Sequence, residues 1–124
     1  MESIAKGNHT YTAGICIIYN GSNGSTYADE LIINNCVNNG EIEGDTVAGI
    51  IGNSSGNLKL SDCENNGAIN GRYSAGGIAQ CIENKNSSEA EVSNCINNGN
   101  VFGGEEAAGI IDYAEGINCY KLYK

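Results

Sequence analysis

One phrase is written three times along the chain: Cys36-Val37-Asn38-Asn39-Gly40-Glu41-Ile42-Glu43-Gly44, Cys63-Glu64-Asn65-Asn66-Gly67-Ala68-Ile69-Asn70-Gly71 and Cys95-Ile96-Asn97-Asn98-Gly99-Asn100-Val101-Phe102-Gly103. A fragment returns at Cys119. Internal repetition limits the possible folds more than any other feature here. A unit of this size cannot bury its own apolar face, so repeats stack and cover one another. A second phrase alternates with the first: Ala13-Gly14-Ile15, Ala48-Gly49-Ile50 and Ala108-Gly109-Ile110, with Ala75-Gly76-Gly77-Ile78 as a variant.

The spacings divide the unit into a fixed part and a free part. Successive cysteines are 27, 32 and 24 residues apart (36 to 63, 63 to 95, 95 to 119). From the isoleucine of the second phrase to the next cysteine the separations are 21, 13, 17 and 9 (15 to 36, 50 to 63, 78 to 95, 110 to 119). From each of the first three cysteines to the repeat-closing glycine the distance is always 8. One corner is constant and another accepts insertions, as solenoids do.

The local patterns read as strands. Leu58-Lys59-Leu60 and Ala90-Glu91-Val92 alternate with period two, and Leu31-Ile32-Ile33 occupies the same place in its repeat. Ile42, Ile69 and Val101 are single apolar residues between polar or glycine neighbours, too short for a helical turn. Asn-Gly corners punctuate every unit. The expected fold is all-β: a parallel β-solenoid (β-helix) of about four coils, three short strands in each, wound right-handed. It forms a single repeat domain over 1–124, with corners near 36–44, 63–71, 95–103 and 119–124.

Stacking coils by the inter-strand spacing of ~4.8 Å sets equivalent residues above one another. Ile42, Ile69 and Val101 then form one interior column, and Leu31, Leu58 and Ala90 another. Cys36, Cys63, Cys95 and Cys119 form a third, as buried reduced thiols in a tight corner. In the Asn-Asn-Gly corner one amide of each pair is expected to bond to its equivalents; Asn39, Asn66 and Asn98 are assigned to that ladder. Gly40, Gly67 and Gly99 are assigned to the turn, with Asn and Gly there tolerating a left-handed backbone. Gly14, Gly49, Gly77 and Gly109 precede a buried isoleucine, where a side chain would foul the neighbouring strand.

The order Ile42-Glu43-Gly44, Val47-Ala48-Gly49-Ile50-Ile51-Gly52, Gly56-Asn57-Leu58, Cys63-Glu64-Asn65-Asn66-Gly67, Ile69-Asn70-Gly71 resembles the GLUG-type repeat of bacterial cell-surface proteins. The similarity runs from about Ile4 to Cys119. It departs at the phrase that names the family: Gly49-Ile50-Ile51-Gly52 is complete, whereas Gly77-Ile78-Ala79-Gln80 and Gly109-Ile110-Ile111-Asp112 lose the closing glycine. The resemblance implies β-solenoid repeats of secreted or wall-attached, adhesin-like proteins. It carries no catalytic residue.

Charge excludes some partners. With 15 acids against 6 bases the net charge is −9, and Lys6, Lys59, Arg72, Lys85, Lys121 and Lys124 assemble no patch for phosphates. Nucleic acid is therefore not an expected partner, nor is an anionic membrane surface. No apolar run approaches a membrane span, so membrane insertion is not expected. Met1-Glu-Ser-Ile-Ala-Lys has neither the basic nor the apolar region of a signal peptide. The chain opens and closes partway through a repeat, so it is expected to be a segment of a larger exported protein.

The chemistry-bearing residues point away from catalysis. Zinc needs closely spaced cysteine pairs or histidine partners, and His9 is the single histidine. The Gly-rich calcium turn of β-roll repeats is absent, and no cofactor or metal is expected. Glu41, Glu43 and Asp45 suggest a carboxylate group of the kind polysaccharide-cleaving enzymes use, but the next coil places Ala68, Asn70 and Arg72 there. Asp45 above Arg72, and Lys59 beside Glu91, read as exposed ion pairs. Tyr11, Tyr19, Tyr27 and Tyr73 remain as binding candidates, since aromatic faces hold sugar rings or partner proteins. The expected function is a non-enzymatic structural or adhesive module presenting loops to a protein or glycan. The alternatives are a carbohydrate-active β-helix fragment and end-to-end self-association.

Overall fold

Each Ile/Val-x-Gly phrase starts a new turn of the chain, and each turn passes through the same parallel sheets in the same order. The computed structural model describes residues 3–4, 11–20, 30–83, 89–115 and 118–120, with backbone alone for 3–4, 17–20, 115 and 118–120. Coil 1 holds β1 (Ser3–Ile4), β2 (Tyr11–Ala13), β3 (Cys16–Asn20), β4 (Glu30–Asn34) and β5 (Val37–Asn38). Coil 2 holds β6 (Ile42–Ala48), β7 (Ile51–Ser55), β8 (Asn57–Ser61) and β9 (Glu64–Asn65). Coil 3 holds β10 (Ile69–Gly76), β11 (Ala79–Glu83), β12 (Ala90–Ser93) and β13 (Ile96–Asn97). Coil 4 holds β14 (Val101–Gly103), β15 (Glu106–Ala108), β16 (Ile111–Glu115) and β17 (Asn118–Tyr120).

The first sheet runs β1-β6-β10-β14, with β2 on β6 and β15 on β10. The second is β3-β7-β11-β16, the third β4-β8-β12-β17 and the fourth β5-β9-β13. The fold is therefore the expected all-β parallel stack. Coils 2 and 3 each add a fourth, two-residue strand at Cys-x-Asn to the three anticipated. The first strand of these coils is also longer than its lone isoleucine suggested. It runs on through the glycine as far as the Ala-Gly-Ile phrase.

Two interior columns form in the expected register. Ile69 pairs with Ile42 and Val101, and Leu58 pairs with Leu31 and Ala90. Between the second and third sheets, Ile50, Ile51, Leu58, Leu60, Ile78 and Ile82 make the main core. Under the first sheet a smaller cluster gathers Ile42, Val47, Ile69 and Ala75. Fully burying one such aliphatic side chain contributes about 1.5–3 kcal/mol. The stack is held chiefly by these columns.

Cys119 does not join the cysteine column. It pairs with Val92, in the column of Ile33 and Leu60, three residues ahead of the place held by Cys63. The span from Ile110 to Cys119 is 9 residues against 13 from Ile50 to Cys63, and the corner takes up only one of the missing four: Glu115 lies at the level of Ser55, and Asn118 at the level of Lys59. Coil 4 thus reaches its third strand one residue sooner than coil 2.

The left-handed backbone also falls elsewhere than expected. Among the described residues the positive-φ non-glycines are Asn35 (54°), Asp62 (53°) and Asn94 (53°), each immediately before a column cysteine. Asn and Asp are the side chains that best tolerate this conformation. The chain therefore bends one residue before the repeated phrase. Within that phrase the glycines serve close approach instead, because a Cβ on Gly67 would collide with the Gly40 carbonyl and one on Gly99 with the Gly67 carbonyl.

Candidate functional site

The Cys-x-Asn-Asn-Gly corner is the most repeated surface of the molecule, and its hydrogen bonds account for its residues. Cys36, Cys63 and Cys95 are free thiols. Each donates across the left-handed residue to a carbonyl two positions back: Cys36 to Asn34 at 3.5 Å, Cys63 to Ser61 at 3.2 Å and Cys95 to Ser93 at 3.4 Å. Burial raises the Cys16 and Cys36 thiols above their ordinary range. The hydrogen bond with Cys95, and after it burial, pushes Cys63 well above that range. A thiol held protonated is a poor nucleophile and a poor metal ligand. The same hydrogen bond lowers Cys95; Cys36 and Cys63 are the thiols built for packing.

Both asparagines of the pair form ladders. Asn39, Asn66 and Asn98 make the outer one, with Asn98 donating to Asn66 at 2.8 Å and Asn66 to Asn39 at 2.9 Å. The buried ladder is one position earlier. Asn38 donates to Asn65 and Asn65 to Asn97, each at 2.7 Å. Each inner amide also donates to its own corner glycine, Gly40, Gly67 or Gly99, at 2.8 Å. The inner column packs against the Ala-Gly-Ile phrase of the same coil. A Cβ on Gly49 would lie 2.8 Å from the Asn65 Cγ, and one on Gly77 would lie 2.6 Å from the Asn97 Cγ. Both would also strike the glycine carbonyl of the next coil. The two repeated phrases are thus two sides of one contact.

The carboxylates singled out in sequence do not converge. Glu41 accepts from Asn70 at 2.8 Å, and Glu43 is exposed beside Asn70 in register. Asp45 is only 5% exposed, which corrects the exposed setting expected for it. The register explains the difference. Gly44 pairs with Gly71 and Thr46 with Ser74, so Asp45 lies opposite a two-residue bulge, Arg72-Tyr73. Lys59 and Glu91 are register neighbours. Among the described residues no three His, Cys, Asp or Glu side chains gather as metal ligands.

The tyrosines are scattered. Tyr11 is half-buried on β2, at the level of Thr46 and Ser74. Tyr73 is half-buried in the bulge, with the Arg72 guanidinium 5.2 Å from its ring centre. Tyr19 lies on β3, opposite Ser54. Tyr27 lies outside the described residues. The more exposed aromatics are ones that sequence reasoning passed over, Phe102 at 64% and Tyr113 at 47%. Their register columns were the available signal, because both belong to the last rung of columns that are polar in coil 2.

One corner concentrates the variation between coils. From the second sheet to the third the chain passes through residues 21–29 in coil 1, Gly56 alone in coil 2 and residues 84–88 in coil 3. The flanking strands stay in register: Asn20, Ser55 and Glu83 share one level, as do Leu31, Leu58 and Ala90. The extra residues of coils 1 and 3 therefore fall between the same two strands of the coil. No family model matches the chain, and neither a curated protein nor a solved structure is similar to it.

Proposed function

We propose that this chain is a non-catalytic repeat module that holds variable loops along one edge of a rigid stack, for protein or glycan binding, in a secreted or surface-exposed bacterial protein. The observation that carries this reading is the insertion corner. Residues 21–29 and 84–88 replace a single glycine, Gly56, while the strands on either side keep their register. Loops that vary on a constant scaffold are where binding residues concentrate. The bacterial surface setting rests on the order of the phrases, which resembles GLUG-type repeats.

The test is to replace residues 21–29 with one glycine, reproducing the coil 2 corner. The strand content and thermal midpoint should be retained, and binding to an immobilised panel of polysaccharides and extracellular-matrix proteins should be lost. Failure of the intact chain to bind any panel member overturns the reading. So does binding undiminished by the replacement.

A further inference from the structure

At the Ala-Gly-Ile phrase the backbone bonds between coils all run one way, and they leave complementary groups at the two ends of the described stack. Ile15 N and Cys16 N donate to the Ile50 carbonyl at 3.1 and 2.9 Å. Ile50 N and Ile51 N donate to Ile78 at 2.9 and 3.0 Å, and Ile78 N and Ala79 N donate to Ile110, both at 2.9 Å. By the same rule coil 4 presents the N–H groups of Ile110 and Ile111, and coil 1 presents the carbonyl of Ile15. The glycines repeat this polarity. A Cβ on Gly14, Gly49 or Gly77 would strike the glycine carbonyl of the next coil, whereas one on Gly109 would meet nothing within 4 Å among the described residues. Coil 4 carries the seat that coils 1 to 3 carry, and coil 1 carries the Ala-Gly-Ile phrase that fills it.

The side-chain columns agree. On the first sheet one column reads Ile4, Glu43, Asn70, Phe102. On the second, another reads Ile18, Asn53, Cys81, Tyr113. Both begin and end on large apolar residues and are polar in coil 2. The third-sheet column Ile32, Lys59, Glu91, Asn118 is apolar at one end alone. Among the described residues the exposed large hydrophobics are Ile15, Ile32 and Val37 in coil 1, Phe102 and Tyr113 in coil 4, and Ile96 on the outermost strand of the fourth sheet. Ile15 is 45% exposed, although its equivalents Ile50 and Ile78 are fully buried.

We propose that a second copy of this chain seats its coil 1 on coil 4, head to tail, continuing the first and second sheets. In that register Ala13 of the second copy lies over Ala108, Gly14 over Gly109 and Ile15 over Ile110. The Ile110 and Ile111 amides donate to the Ile15 carbonyl. The Ile4 position meets Phe102 and the Ile18 position meets Tyr113. Such a contact is heterologous and does not close, so copies add without a fixed number. The net charge of −9 opposes the approach of two copies, and salt screens that repulsion. This contact uses the ends of the stack and is independent of what the corner loops bind.

Gly109→Ala tests the seat, since its new Cβ meets open space within one chain and the Gly14 carbonyl of the next. For chain 1–124, sedimentation equilibrium from micromolar to millimolar protein should show a weight-average mass that climbs without a plateau, more steeply at high salt. Gly109→Ala should stay monomeric at an unchanged thermal midpoint. Phe102→Glu, at an exposed position, should do the same. A wild-type monomer at every concentration and salt overturns the proposal, and so does a closed dimer or association that both variants leave undiminished.

Discussion

Asn65 donates from a fully buried position to the Oδ1 of Asn97 at 2.7 Å. The other hydrogen of that amide goes to the Gly67 carbonyl, and its oxygen accepts from Asn38. One side chain thereby joins three coils. Asn65→Ala removes an acceptor from Asn38 and donors from Asn97 and Gly67. A loss of about 2–4 kcal/mol is expected in urea unfolding, since each buried polar group left unmatched costs roughly 1–3 kcal/mol. Asn66→Ala, in the exposed ladder one position later, should cost under about 1 kcal/mol. Equal losses at the two positions would show that burial does not distinguish the ladders.

Gly77 has no room for a methyl group. Backbone from coil 4 and the Asn97 side chain both occupy the place of its Cβ, and neither is the free end of a flexible side chain. Gly77→Ala should destabilise by about 3 kcal/mol, the upper end of overpacking costs. Gly109→Ala should shift unfolding by no more than about 0.5 kcal/mol, as substitutions away from packed features do. Thermal and urea unfolding of the two variants side by side check the pair.

Ser54 is a defect in the core. Its hydroxyl is buried with no hydrogen-bond partner among the described residues, and it lies beside Ile82 in register. Ser54→Ala removes the uncompensated group while keeping the Cβ, so stability should rise by about 1 kcal/mol. A fall in the urea midpoint would contradict the assignment.

Stability should decline in alkali through the thiols. Cys63 is raised in the folded chain by its bond with Cys95 and by burial, and burial also raises Cys16 and Cys36; the same bond lowers Cys95, which offsets part of the Cys63 contribution. An unfolded cysteine ionises near pH ~8.5, so above that pH the unfolded state loses protons that the folded state retains. The thiol contribution is therefore complete below pH ~8.5 and is lost as the pH climbs toward the raised folded values. Urea midpoints at neutral pH and near pH ~10 should differ, and Cys63→Ala should narrow the difference. Iodoacetamide should label Cys63 only when urea is present.

The fold was legible because identical phrases fix which residues stack. Ile42 on Ile69 and Leu31 on Leu58 follow from counting within the constant part of the repeat. What the letters hide is register across insertions. Cys119 looks like a fourth copy of Cys36, but its coil is four residues short before the cysteine and the corner takes up only one of them, so it lies on Val92 instead. Arg72 looks like the one residue opposite Asp45, but an extra residue bulges there and Asp45 is buried. The left-handed position carries Asn, Asp and Asn just outside the phrase, at Asn35, Asp62 and Asn94. The conspicuous Asn-Gly dipeptides drew attention away from it. Both asparagines of each pair ladder, and only burial reveals that Asn38, Asn65 and Asn97 are the inner set. The corner loops were legible as a place, because spacings alone locate an insertion edge.

The two amide ladders point in opposite directions along the stack, the inner from Asn38 toward Asn97 and the outer from Asn98 toward Asn39. Aligned amides add head to tail, as they do in a helix, where the sum places partial charge at each terminus. Here the side-chain dipoles of one column offset those of its neighbour at every coil. The ladders therefore put no growing electrostatic term on the stack as it lengthens. An added coil meets the same field as the one before it.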